Sequence, residues 1–178
     1  MPSINAGSMA DIAFLLLIFF LVATTIPNDV GIARKLPGQC QEPPCHVEVS
    51  ERNILRISLN KEGKLLVENT LTNKNELREL LKKFIDNNGD NSCAYCSGRG
   101  LVTSSDNPDE AIISLTTHRE TPYKDFISVQ NELTAAYKEL RQEYVKKIFQ
   151  KDISLISDEE LARVKAAYPF RISEAEMK

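Results

Sequence analysis

Asp11, four cysteines and two histidines are the residues of this chain whose type and setting bear most directly on chemistry. Asp11 sits in Gly7-Ser8-Met9-Ala10-Asp11, and from Ile12 to Ala23 every residue is apolar. A carboxylate at the centre of a membrane-spanning helix costs on the order of 2.5–3.5 kcal/mol on insertion scales. It persists there when it has a use or a partner, so an intramembrane Asp is by default a functional candidate. The cysteines fall in two pairs, Cys40 with Cys45 and Cys93 with Cys96. Structural disulfides, a four-thiolate zinc site and a redox-active pair are the three readings. An even count outside the apolar run favours disulfides in an oxidising compartment. Only Cys93-Ala94-Tyr95-Cys96 has the spacing of a zinc knuckle, and its flanks are loop residues rather than a thioredoxin-like helix start. Connectivity is open, because four cysteines allow three pairings. His46 and His118 are single, without metal-ligand spacing. No phosphate-cradling glycine loop or nucleophile elbow occurs. Neither an enzyme nor a cofactor nor a metal is therefore expected.

The element that must position Asp11 is the apolar run itself. With its small and weakly polar flanks it reads as a transmembrane helix over 7–26, about the 20 residues a hydrocarbon core requires. Asp11 then lies about 6 Å in from the N-terminal surface, at roughly 1.5 Å of rise per residue. Spacings of three and four put Gly7, Ser8, Phe14, Leu15, Ile18, Val22 and Thr25 on its face. Gly, Ser and Thr let membrane helices approach and hydrogen-bond one another. Gly7, Ser8, Thr24 and Thr25 are thus candidates for helix packing or a polar relay. No second charged residue lies in the run, so a charge partner inside the membrane comes from another subunit. Two other readings compete. Asp11 as an interfacial N-cap would start the helix at Ile12. A cleaved signal peptide has the right apolar length, but there is no basic n-region and Val22-Ala23-Thr24-Thr25 is a poor cleavage site.

The stretch from Pro2 to Val22 resembles the single membrane helix of the ExbD/TolR family of biopolymer-transport proteins, in its Bacteroidetes-type form. In that family a small or apolar residue, then Asp, then Ile or Leu, opens an aliphatic and phenylalanine run. The resemblance implies that Asp11 is the proton-carrying carboxylate. It implies a proton-motive-force-driven subunit of an inner-membrane ExbB/ExbD (TolQ/TolR)-like complex that powers TonB-dependent outer-membrane transport. Two copies of this helix would stand inside an ExbB/TolQ-like proton-channel ring, so a dimer is implied. The C-terminal domain would be periplasmic and would engage a TonB-like or TolA-like periplasm-spanning protein. The alternative is a non-transducing membrane-anchored periplasmic module that binds peptidoglycan or a partner protein. Residues 1–10 hold no Lys or Arg, whereas Arg34 and Lys35 follow the helix. Taken alone, the positive-inside rule would put the C-terminal side in the cytoplasm. The resemblance implies the opposite orientation, with the N-terminus cytoplasmic and a basic extension expected ahead of Met1. Cysteine usage sides with the resemblance.

At 178 residues and net charge −3, the chain leaves about 150 residues for one cored domain and offers no bulk electrostatic case for nucleic acid. The expected organisation is an N-terminal stub (1–6), the helix, a Pro- and Gly-bearing linker (27–46), an α/β domain (47–150) and a C-terminal helix and tail (151–178). Leu36-Pro37 resembles the end of the family's short periplasmic segment, which implies a partner-docking role. Within the domain, Leu55, Ile57 and Leu59 alternate as in a half-buried strand, and Leu65-Leu66-Val67 reads as its return. Asn73 with Glu76 reads as a capping box opening a helix through Leu77, Leu80, Leu81, Phe84 and Ile85. The cysteine-bearing loop spans 88–108, with Ser97-Gly98-Arg99-Gly100 as a flexible tip. A third strand follows at 111–116. Thr121-Pro122 reads as a cap plus first-turn proline, opening a long helix with Phe126, Ile127, Leu133, Tyr137, Leu140, Tyr144 and Ile148 as its core stripe. Its Lys and Glu residues read as a solvated face. Ser157 with Glu160 is a second capping box, and Phe170 to Ser173 is a candidate edge strand. The fold class is thus one transmembrane helix plus a small α/β (α+β) periplasmic domain with a long C-terminal helix.

Overall fold

The computed structural model describes residues 6–23 and 49–177. The chain divides into two compact units, Met1–Cys45 and His46–Lys178. The first contains helix α1, Ala6–Ala23, whose 18 residues include no buried side chain. At about 1.5 Å per residue that is about 27 Å, close to the thickness of a hydrocarbon core. By length and composition it suffices to cross a membrane. α1 begins five residues ahead of Asp11, so Asp11 is not an N-cap and the helix does not open at Ile12.

The second unit holds a five-stranded sheet. Its strands are β1 (Ile54–Leu59), β2 (Leu65–Val67), β3 (Thr70–Thr72), β4 (Ile112–His118) and β5 (Ile172–Met177), in the order β3-β2-β1-β4-β5. β1, β2 and β3 form an antiparallel meander, while β4 runs parallel to β1 and β5 parallel to β4. Alternation in sequence becomes facing in space. Leu55, Ile57 and Leu59 of β1 are buried, in line with Ile113 and Leu115 of β4, whereas Arg56 between them is exposed. Helices α2 (Lys74–Ile85) and α3 (Tyr123–Tyr144) supply the second layer. Leu77, Leu81, Phe84 and Ile85 of α2 join Val129, Leu133, Ala136, Tyr137 and Leu140 of α3 in one core. Fully burying a side chain of this size is worth about 1.5–3 kcal/mol, which makes this cluster the main source of stability.

Several local expectations need correction. β3 is an addition to the expected strands; Glu68 and Asn69 both take positive φ (47° and 66°), the geometry of a two-residue hairpin turn that sends the chain back along β2. The first capping box gives way to a simple cap, with the Asn73 side chain accepting from the Asn75 N–H rather than from Glu76. Pro122 is itself the N-cap of α3, because the Thr121 hydroxyl is committed to the carbonyls of Leu59 and Asn60. Beyond Tyr144 the helix widens into a π-helical turn, Val145–Phe149. The extra residue per turn rotates the stripe, leaving Ile148 43% exposed while Val145 is buried. The Ser157–Glu160 capping box forms in full and opens α4, Asp158–Ala167. The tail from Ile172 closes the sheet as an edge strand.

Candidate functional site

Two places hold the residues singled out above, and each belongs to its own unit. On α1, Asp11 is the only ionisable side chain between Ala6 and Ala23, with Gly7 and Ser8 one turn earlier on its face. Each of these side chains is exposed. Such a helix has nothing of its own with which to neutralise a carboxylate in lipid, so it calls for a protein or aqueous surface along that face. Thr24, Thr25, Leu36, Pro37, Cys40 and Cys45 lie outside the described residues, as does His46.

In the second unit, the loop between α2 and β4 is built into the domain rather than projecting from it. Cys93 and Cys96 are joined by a disulfide with Cα atoms 5.5 Å apart. Ser97-Gly98-Arg99-Gly100, expected as a flexible tip, is docked. Ser97 donates its N–H to Asp86, Gly100 to the Asn87 carbonyl and Leu101 to Asn87 Oδ1. A side chain at Gly98 would overlap the backbone of Asp86 and Asn87. At its far end the loop holds the point where the chain enters the sheet. Buried Asn53 donates to Asp106 at 3.0 Å and to Glu110 at 2.8 Å, accepts the Asp106 N–H at 2.8 Å, and has Arg52 beside it on Asp106 at 2.6 Å. These partners are more than fifty residues apart, so no local sequence signal marks them.

On α3 the solvated-face reading holds for exposed Lys124 and Lys138, whereas Glu132, Glu139 and Glu143 pair with α2. Arg78 of α2 binds Glu132 at 2.8 Å and Glu139 at 3.0 Å, and Lys82 binds Glu139 at 3.1 Å and Glu143 at 2.9 Å. They form a ladder that locks the two helices in register. The hydrogen bond from Lys82 to Glu143 pushes the Lys82 ammonium pKa up. At the lower end of the ladder, Tyr168 donates to Asp86 at 2.6 Å. Burial raises the Asp86 carboxyl above the usual carboxylate range, against the pull of the Tyr168 and Ser97 donors. Burial, and then the Asp86 carboxylate, raise the Tyr168 phenol. Burial also pushes Tyr137 up to about 12.

A groove of about 360 Å³ lies beside β5, lined by Leu115, Thr117, Tyr123, Phe126, Glu174 and Glu176 among others. His118 stands at its rim, where Nδ1 accepts the Glu120 N–H at 3.1 Å. Among the described residues no three His, Cys, Asp or Glu side chains converge as a metal site.

An apolar helix with one carboxylate, followed by a small mixed α/β domain, is the arrangement on which the sequence comparison bears. The family model for biopolymer transport protein ExbD/TolR matches residues 1–141. The chain belongs to the ExbD/TolR family. No curated protein matches it. As an ExbD/TolR protein it has a general role in biopolymer transport, and α1 fits a single-pass inner-membrane protein. The match takes in α1, the meander, the cysteine loop and most of α3. The π-helical turn, α4 and β5 follow it.

Proposed function

We propose that this ExbD/TolR protein is the proton-motive-force-driven, non-enzymatic transducing subunit of an inner-membrane complex, with Asp11 as its proton carrier. The observation that carries the reading is a single carboxylate inside an apolar helix, one turn in, with Gly7 and Ser8 on its face. Protonated, Asp11 lets the helix sit against an apolar wall; ionised, it seeks a polar or cationic surface. Each proton taken up and released therefore changes the helix's preferred fit in an ExbB/TolQ-like ring. One charge moved through 100 mV is worth about 2.3 kcal/mol, roughly a fifty-fold bias between two packings.

On this reading two copies of α1 stand in the ring, with the N-terminus cytoplasmic. Motion passes through the linker with Leu36-Pro37 to the domain outside, and from there to a TonB-like or TolA-like partner. The output is energy for TonB-dependent transport across the outer membrane. Thr24 and Thr25, with Ser8, would serve as polar relays near the carboxylate's path, and Cys40 and Cys45 as a second disulfide.

The test is energy-dependent uptake of a large nutrient by cells carrying Asp11→Asn, with membrane level and co-purification of the ring protein measured alongside. Asn keeps the size and hydrogen bonding of Asp but does not ionise. Uptake lost with assembly intact is the expected result. Full uptake with Asn would remove the proton role and leave a membrane-tethered module that binds peptidoglycan or a partner protein.

A further inference from the structure

The Cys93–Cys96 disulfide encloses only two residues, Ala94 and Tyr95. A bridge this short removes little freedom from the unfolded chain, because the benefit of a cross-link grows with the loop it closes. What it fixes is local, and the residue it fixes is Tyr95. The Tyr95 ring meets Tyr144 edge-on at 5.0 Å and Tyr168 at 5.5 Å. Its hydroxyl donates to the Ala167 carbonyl at 2.7 Å, and its carbonyl accepts Lys147 Nζ at 2.8 Å. The next residue past the bridge, Ser97, donates to Asp86 at 2.9 Å, and the other Asp86 oxygen accepts the Tyr168 hydroxyl. Arg141 completes the seat by donating twice to the Tyr168 carbonyl, at 3.0 and 2.7 Å. Edge strand β5 begins four residues after Tyr168. The bridge and its neighbours thus hold the junction from which the sheet's last strand departs.

We propose that Cys93–Cys96 is a thiol–disulfide exchange site for a dithiol reductant, and that its opening unseats the α4–β5 junction. Cys93 is buried (9% exposed) and Cys96 half-buried, so an incoming thiolate reaches Cys96 Sγ first. Attack there forms a mixed disulfide with Cys96 and breaks the Cys93–Cys96 bond, and Cys93 leaves as a thiolate. The Cys96 N–H lies 3.2 Å from Cys93 Sγ and donates to the departing charge. A stabilised thiolate leaves faster. The reductant's second thiol then attacks its own sulfur in the mixed disulfide and releases Cys96. In total two electrons and two protons pass from the dithiol to the protein, yielding two protein thiols and one reductant disulfide. With the ring open, the Tyr95 contacts weaken together because they share one side chain. The inference stands apart from the role of Asp11.

The experiment uses the full chain in detergent micelles, in a Cys40→Ser/Cys45→Ser background so that one pair alone responds. Hydrogen exchange over residues 164–177 is compared with that over β1 and α2, oxidised and after dithiothreitol. The expected result is a rise of roughly tenfold at 164–177, the scale of one or two lost aromatic pairs and a hydrogen bond, with β1 and α2 unchanged. Tyr95→Ala in the oxidised chain is expected to reproduce that rise and to abolish the further effect of reduction. The unsubstituted chain, with its reduced pair mapped by alkylation, repeats the comparison without serine substitutions. A bridge that resists excess dithiothreitol in the folded protein overturns the proposal. So does reduction that leaves 164–177 unchanged, or that loosens β1 and α2 equally.

Discussion

Helix α1 and the sheet domain handle charge in opposite ways. Between Ala6 and Ala23 there is one ionisable group, Asp11, and nothing on the same helix to neutralise it. In the domain, charges come in sets. Arg78 and Lys82 span Glu132, Glu139 and Glu143, Arg52 and Asn53 enclose Asp106, and Asp86 takes two donors. Paired groups fix geometry, whereas a proton carrier needs a charge its own chain does not satisfy. The domain is built to hold shape; on the proposed reading, α1 is built to respond.

The largest effects come from breaking each region where it is most itself. Asp11→Asn is expected to reduce energy-dependent uptake to background while shifting the domain's thermal midpoint by no more than about 1 °C, since Asp11 contributes nothing to the core. Leu133→Ala is the reverse. Leu133 is fully buried in α3, and its truncation is expected to cost about 2–5 kcal/mol in denaturant unfolding. Uptake should fall only in proportion to the folded protein remaining. A loss of uptake from Leu133→Ala at normal protein level, or a destabilised domain from Asp11→Asn, would undo the division.

How much of this was legible in sequence follows the same divide. The spans of α1 and of β1, α2 and α3 were readable because apolar spacing is a local signal, and the Ser157–Glu160 box marked α4. β3 was hidden because its turn uses Glu68-Asn69 rather than a glycine-bearing pair, and three residues carry no period. β5 is legible only as far as Ser173, since an edge strand with exposed Glu174, Ala175 and Glu176 lacks the buried alternation of a central one. Of the candidate residues, Asp11 is conspicuous for its setting. Tyr95, Asp86 and Asn53 are not, because what defines them is a partner 53 to 82 residues away in the chain.

A smaller effect sharpens the domain side of the contrast. Asp86 has a pKa raised by burial, so the native state holds its proton more tightly than the unfolded chain does. For an acid shifted upward, stability is undiminished below the ordinary carboxylate pKa. It declines as pH rises from that value through the raised one, and is level above. Asp86→Asn removes this titration while keeping an acceptor for the Ser97 N–H. Unfolding midpoints of the two proteins across about pH 3 to 7 should therefore diverge in slope, with the parent losing more stability on the way up. Parallel curves would place the Asp86 proton equilibrium at its unfolded value.

The smallest effect tests whether the α2–α3 ladder differs in kind from the buried contacts. Arg78 and its partners are partly solvent-exposed, at 38%, 22% and 33% for Arg78, Glu132 and Glu139. Exposed pairs are screened by salt, and long side chains give up rotamer freedom to form them. Arg78→Met keeps most of the aliphatic stem that covers the helix interface and removes the charge. It is expected to lower the unfolding midpoint modestly at low ionic strength and hardly at all near about 1 M salt, where the Debye length is about 3 Å. Leu133→Ala, by contrast, should cost as much at either salt concentration, because no ionic atmosphere reaches a cavity. If Arg78→Met proved equally insensitive to salt, the ladder would be acting through packing of its stems, and the pairing of charges in the domain would be a consequence of its geometry rather than a cause.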